Sequence, residues 1–87
     1  MTKERNITLK VITTDELPEE IRGCCARFDR SDNYAMLING NNDERAQLRS
    51  FLHECLHIWR CDYDSERDAD EVEKERHEEV EELLAMI

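Results

Sequence analysis

Between Asn39 and Asp43 the sequence changes its hydrophobic period, and that change limits the fold more than any other feature. Before it, Ile7, Leu9 and Val11 alternate with Thr8, Lys10 and Ile12, the two-residue period of a strand with one buried face. Cys24, Ala26 and Phe28 alternate in a second strand over residues 23–28, and Tyr34, Met36 and Ile38 in a third over residues 34–38. Asp29-Arg30-Ser31-Asp32-Asn33 joins the second and third as an antiparallel hairpin, while Pro18 breaks the chain between the first and second. After Asp43 the period is helical: Leu48, Phe51, Leu52, Cys55, Ile58 and Trp59 recur every three or four residues, which predicts a helix over residues 43–60 with one apolar stripe. Asp64 or Ser65 then caps a final helix over residues 66–87, with Ala69, Val72, Val80, Leu83 and Ile87 on one side, interrupted by Arg76 and Glu79. The expected fold is α+β: a small three-stranded, mostly antiparallel sheet packed on two helices, in one domain covering residues 1–87.

A chain of 87 residues with five aromatic side chains builds one small core and excludes a multidomain enzyme. Residues 1–61 carry nine basic and ten acidic side chains, whereas residues 62–87 carry three and twelve, so nearly all of the net charge of −10 sits in the last third. That segment repels phosphate, which argues against nucleic acid and anionic membrane surfaces and in favour of cations or basic partners. No run approaches the roughly 18 apolar residues of a membrane span, and residues 1–5 are not followed by the apolar core of a signal peptide. The expected compartment is the cytoplasm, where Cys24, Cys25, Cys55 and Cys61 are reduced; none of their spacings is C-x-x-C.

The first helix contains His53-Glu54-Cys55-Leu56-His57, an H-E-x-x-H sequence. Histidines four apart lie one helical turn apart and can grip one metal ion, with the intervening glutamate turned about 100° from the first, toward a metal-bound water. On a helical wheel the two histidines fall about 140° and 180° from Leu48, away from the apolar stripe. A solvent-facing pair on an ordinary helix is the plain alternative. A catalytic zinc needs a third protein ligand, and the acidic final helix offers Glu66, Asp68, Glu71, Glu73, Glu75, His77 and Glu79, among which spacing does not choose. A rival trio of His53, His57 and Cys61 shares one face if the helix runs unbroken to Cys61, and would suit a closed structural zinc site. Tyr34 and Tyr63 are candidate oxyanion stabilisers, with packing as the commoner role of such residues.

A hairpin whose last strand reads Tyr34-Ala35-Met36-Leu37-Ile38-Asn39, followed by a helix reading Phe51-Leu52-His53-Glu54-Cys55-Leu56-His57, resembles the ImmA/IrrE family of metallo-endopeptidases over roughly residues 20–85. The second motif of that family falls on Val72-Glu73-Lys74-Glu75-Arg76-His77-Glu78-Glu79-Val80, with Leu83-Leu84 after it. The resemblance makes Glu75 the third zinc ligand beside His53 and His57. Arg76, His77 and Glu79 depart from the family's usual alanine, asparagine and aromatic residue, which keeps Glu73, His77 and Glu79 open as ligands. The resemblance further implies a minimal zincin-like metallopeptidase core, a Zn²⁺ cofactor, Glu54 as general base, and a protein or peptide substrate such as the repressor of a phage or mobile element. The strand over residues 34–38, read as an edge, would pair with extended substrate. The alternative is a non-catalytic acidic binding module or antirepressor, zinc-stabilised or metal-free.

Overall fold

The computed structural model describes residues 5–87; residues 1–4, which open the N-terminal reading above, lie outside the described residues. Three strands, β1 (Thr8–Thr14), β2 (Gly23–Phe28) and β3 (Asn33–Asn39), precede helix α1 (Glu44–Trp59), a 3₁₀ turn (Asp62–Asp64) and helix α2 (Ala69–Ala85). The α+β order and the β2–β3 hairpin agree with the sequence pattern, and the hairpin register sets Cys25 opposite Met36 and Arg27 opposite Tyr34. Asp29 and Arg30 make its turn with positive φ, 56° and 54°.

Two expectations about the sheet are corrected. The sheet is mixed, because β1 pairs parallel to β3, with Leu9 opposite Tyr34 and Val11 opposite Met36. The strand order is β1-β3-β2, so β3 is the central strand, hydrogen-bonded on both sides, and the free edges belong to β1 and β2. Both follow from the connection through residues 15–22, which is long enough to carry the chain past β3 before β2 begins. Asn39 ties this connection down: its fully buried amide donates to the carbonyl oxygens of Pro18 and Ile21 at 3.1 and 2.8 Å, and its Oδ1 accepts from the Asn41 amide at 2.9 Å. A buried amide side chain is tolerated there because its hydrogen-bonding groups find partners.

The buried apolar residues are Tyr34, Met36 and Ile38 on β3, Ile58 on α1, and Val72, Val80 and Leu84 on α2. Met36 has no exposed surface, and the residues opposite it in the register, Val11 and Cys25, share its face of the sheet. The other face carries Ile12, Leu37, Cys24 and Ala26 and lies outside this core. Asp43 caps α1 by accepting from the Ala46 amide at 2.8 Å. The α1 stripe is only partly realised, since the helix ends at Trp59 and the Trp59 side chain is 67% exposed. α2 begins later than the pattern suggested, capped by Asp68, and its buried face is Val72, Arg76, Val80 and Leu84, a regular four-residue spacing. Leu83 and Ile87, expected inside, are exposed. No helix is long and apolar enough to cross a membrane among the described residues.

Candidate metal centre

α1 presents the two motif histidines one turn apart toward α2, off the apolar side of the helix that carries Ile58. Their Nε2 atoms are 3.0 Å apart. Glu73, in the first turns of α2, reaches both: one carboxylate oxygen is 2.9 Å from His57 Nε2 and the other 3.0 Å from His53 Nε2. The structure therefore brings His53, His57 and Glu73 to one point.

Behind His57, Nδ1 donates to Asp62 at 2.9 Å. Asp62 is only 9% exposed and is held in turn by Arg76, whose Nε donates to it at 2.7 Å and whose Nη2 does so at 3.3 Å. Arg76 itself is buried and also meets Glu79. Burial pushes the Asp62 carboxyl up, but the hydrogen bonds from Arg76 and then His57 outweigh it and carry it below the ordinary carboxylate range. An ionised Asp62 only accepts, so the His57 proton sits on Nδ1. In the neutral ring this leaves Nε2 as a lone-pair acceptor facing Glu73, itself acceptor-only when ionised. Two such acceptors 2.9 Å apart repel unless a proton or a metal ion lies between them, or the Nε2–H of His53, 3.0 Å from each of the two residues, donates to them.

Glu54 projects beside this cluster and lines the clefts on both its sides. One, of about 310 Å³, is bounded by Glu54, His57, Tyr63, Arg67, Val72 and Glu73. The other is bounded by Arg22, Gly23, Ser50, His53, Glu54 and His77. Gly23 belongs there because a Cβ would stand 2.9 Å from the Leu37 carbonyl oxygen, backbone that has no room to yield. Burial, ahead of the charges of His57 and Glu73, raises the Glu54 pKa, the direction a general base working near neutrality requires. Burial likewise is the largest influence on His53 and lowers its pKa, favouring the neutral ring that metal coordination needs.

The other expected site residues fall elsewhere. Glu75 points away from the histidines: Arg67 holds it through two hydrogen bonds of 2.9 and 2.6 Å, and that pairing lowers its pKa. Along α2, Glu73 is two residues before Glu75, a rotation of about 160° from it, so the two cannot share a target. Glu79 is taken up by Arg60 and Arg76. Cys61 lies beyond the end of α1 in a left-handed turn and is exposed, which takes it off the helical face assumed for the rival trio. All four cysteines are free thiols. Tyr34 is buried and its hydroxyl donates to Asp32 at 3.2 Å; the Tyr63 hydroxyl is directed to the Cys25 carbonyl oxygen at 3.5 Å while its ring lines the first cleft. Asp62 was not among the sequence candidates. Its place five residues after His57, beyond the helix end, is set by the turn and by a buried arginine from α2, which helical spacing does not reveal.

The donor set fits a small divalent cation. Ligands at about 2.0–2.1 Å from a tetrahedral zinc stand about 3.3 Å from one another, so the 3.0 Å between the two Nε2 atoms needs to open by only a few tenths of an ångström, and the Glu73 carboxylate, which now turns a different oxygen to each ring, needs to turn one or both toward the ion. Two imidazoles and one carboxylate are also a ligand combination of catalytic zinc, with a further position left for water. Compared with known proteins, the chain matches no family model, no curated protein and no solved structure.

Proposed function

We propose that the chain is a zinc-dependent endopeptidase of the zincin type, as its resemblance to ImmA/IrrE proteins implies. The single observation that carries this reading is the convergence of His53 Nε2, His57 Nε2 and the Glu73 carboxylate within 3.0 Å, with Glu54 half-buried alongside. His53, His57 and Glu73 would hold the ion, with Glu73 in the role that motif alignment gave to Glu75. Zinc in such a setting supplies a bound water acidified to a pKa of about 7 and a polarised carbonyl. With the ion bound, Glu54 would serve as the general base for that water and as the proton donor to the leaving amine, a role its raised pKa favours. Asp62 keeps His57 in the tautomer that offers Nε2.

Main-chain pairing with an extended substrate falls to β2, since β3 has no free edge. Gly23, at the start of β2, borders the cleft that also contains His53 and Glu54, so a peptide added along this edge runs past the proposed general base. A regulatory protein such as a mobile-element repressor is the substrate class the resemblance implies.

The test is a metal analysis joined to one variant. Purified protein is expected to hold about one zinc per chain, and Glu54→Gln to keep the metal while losing cleavage of an unfolded protein substrate. Wild type that takes up no zinc, or a Glu54→Gln variant that cleaves as well as wild type, defeats the reading. If Glu54→Gln matches wild type in silencing a partner without cutting it, the chain acts as the acidic binding module instead.

A further inference from the structure

His77 stands one turn after Glu73 on α2, and its ring lies against that of His53, with centroids 4.7 Å apart. Its Nε2 is 3.9 Å from a Glu73 carboxylate oxygen. His53, Glu73 and His77 each offer a ligand atom within 4.8 Å of the other two. His77 therefore flanks His53 and Glu73, two of the three residues that converge, from the side open to the second cleft. We infer that His77 is a fourth, displaceable protein ligand for the cation held by His53, His57 and Glu73, so that the resting site is closed by the chain itself. The inference rests on the proposed reading that those three residues hold a cation.

The distances define what must move. Tetrahedral ligands of zinc stand about 3.3 Å apart, so His77, 3.9 Å from Glu73 and within 4.8 Å of His53, must move toward those two residues by roughly 1 Å to join them. His77 is 69% exposed, and among the described residues its one charged neighbour within pairing distance is Glu73. A ring so placed turns without disturbing the core. His57 is fixed from behind by Asp62, whereas among the described residues no such hydrogen bond holds His77. An unanchored exposed ligand binds when the cleft is empty and is released when another donor arrives.

The consequence concerns when the site is open. Four protein ligands make a closed zinc site, whereas catalysis needs one position for water or substrate carbonyl. A peptide entering the cleft bounded by Gly23, Ser50, Glu54 and His77 meets His77 first and displaces it. Free chain then holds metal tightly and cuts poorly, and the open site forms with substrate in place.

Cobalt binding tests this without relying on activity. Wild type loaded with Co²⁺ is expected to show an intense tetrahedral absorption that is little altered by a small competing anion. His77→Ala is expected to bind Co²⁺ at least as much weaker as loss of an outer partner would make it, about 10- to 100-fold, with a spectrum that shifts readily on adding acetohydroxamate. Glu78→Ala, a change at the next residue, is expected to match wild type. Wild type that takes up no Co²⁺ removes the cation site and this inference with it. Wild type that binds Co²⁺ with an affinity and spectrum that His77→Ala leaves unchanged overturns this inference alone, whether or not that variant loses proteolysis.

Discussion

Asp62 accepts a 2.9 Å hydrogen bond from Nδ1 of His57, reaching the ring from a 3₁₀ turn beyond the end of α1. The contact fixes which nitrogen of His57 faces Glu73, and metal-binding histidines depend on such partners for orientation and basicity. Asp62→Ala is therefore expected to weaken zinc binding about 10- to 100-fold, and Asp62→Asn, which keeps an oxygen acceptor but loses the charge, to weaken it less. Competition with a chromophoric chelator reads both. Equal affinity in all three proteins would reduce Asp62 to a structural partner of Arg76.

Glu73 and Glu75 make a paired comparison. Glu73 contacts both motif histidines, whereas Glu75 is bound to Arg67 in a half-exposed ion pair. Glu73→Gln is expected to abolish stoichiometric zinc binding and Glu75→Gln to leave it within about twofold of wild type, since an exposed ion pair contributes little. Zinc content after dialysis against a weak chelator separates the two. A reversal would restore the assignment that the motif alignment suggested.

Much of this architecture is legible in the chain because periodicity reports which face of an element is buried. The β2–β3 hairpin, the start of α1 near Asp43 and the placement of His53, Glu54 and His57 off the apolar side of α1 all follow from local spacing. What the spacing did not carry is long-range. The parallel pairing of β1 depends on where the connection through residues 15–22 crosses, and Asn39 fixes that through hydrogen bonds to Pro18 and Ile21. Arg76 reads as an interruption of the α2 stripe, yet it lies on the buried face because Asp62 and Glu79 satisfy its charge. The choice of Glu73 over Glu75 turns on the rotation of α2 about its axis, and that rotation is set by Val72, Arg76, Val80 and Leu84 together.

Arg76 is 5% exposed and joins α2 to the turn that carries Asp62. Removing one partner of a buried ion pair strands the other charge, at a cost of about 3–5 kcal/mol. Arg76→Met is expected to destabilise the fold on that scale and, by loosening Asp62, to weaken metal binding as well. Urea denaturation of the metal-free protein isolates the first effect; a change below about 0.5 kcal/mol, the range of ordinary surface substitutions, would show that the pair is not holding α2 in place.

Met36 and Trp59 test where the core sits. Met36 is fully buried at the centre of β3, whereas Trp59, the largest apolar side chain in the sequence, is mostly exposed at the end of α1. Met36→Ala is expected to cost about 2–5 kcal/mol, and Trp59→Ala about 0.5 kcal/mol or less. Thermal unfolding followed by circular dichroism measures both, and a larger loss for Trp59→Ala would mean that this ring packs inside.

Arg5 binds Asp32 through contacts of 2.7 and 3.2 Å and also donates to the carbonyl oxygens of Ile58 and Trp59 at the end of α1, so one side chain links the segment before β1, the hairpin turn and the helix. The hydrogen bond from Arg5 is the largest influence on Asp32 and lowers its pKa below the ordinary value of 3.8. A carboxyl whose pKa is lower folded than unfolded binds more protons in the unfolded chain, so its stabilisation is complete above the unfolded value and disappears as pH falls through the folded one. The Asp32 contribution is therefore expected to be constant from neutrality down to about pH 5 and to fade below pH 4. Asp32→Asn should be less stable than wild type at pH 6, and the difference should shrink at pH 3. Urea midpoints for both proteins at the two pH values measure this, and a difference that is the same at both would show that ionised Asp32 does not hold Arg5.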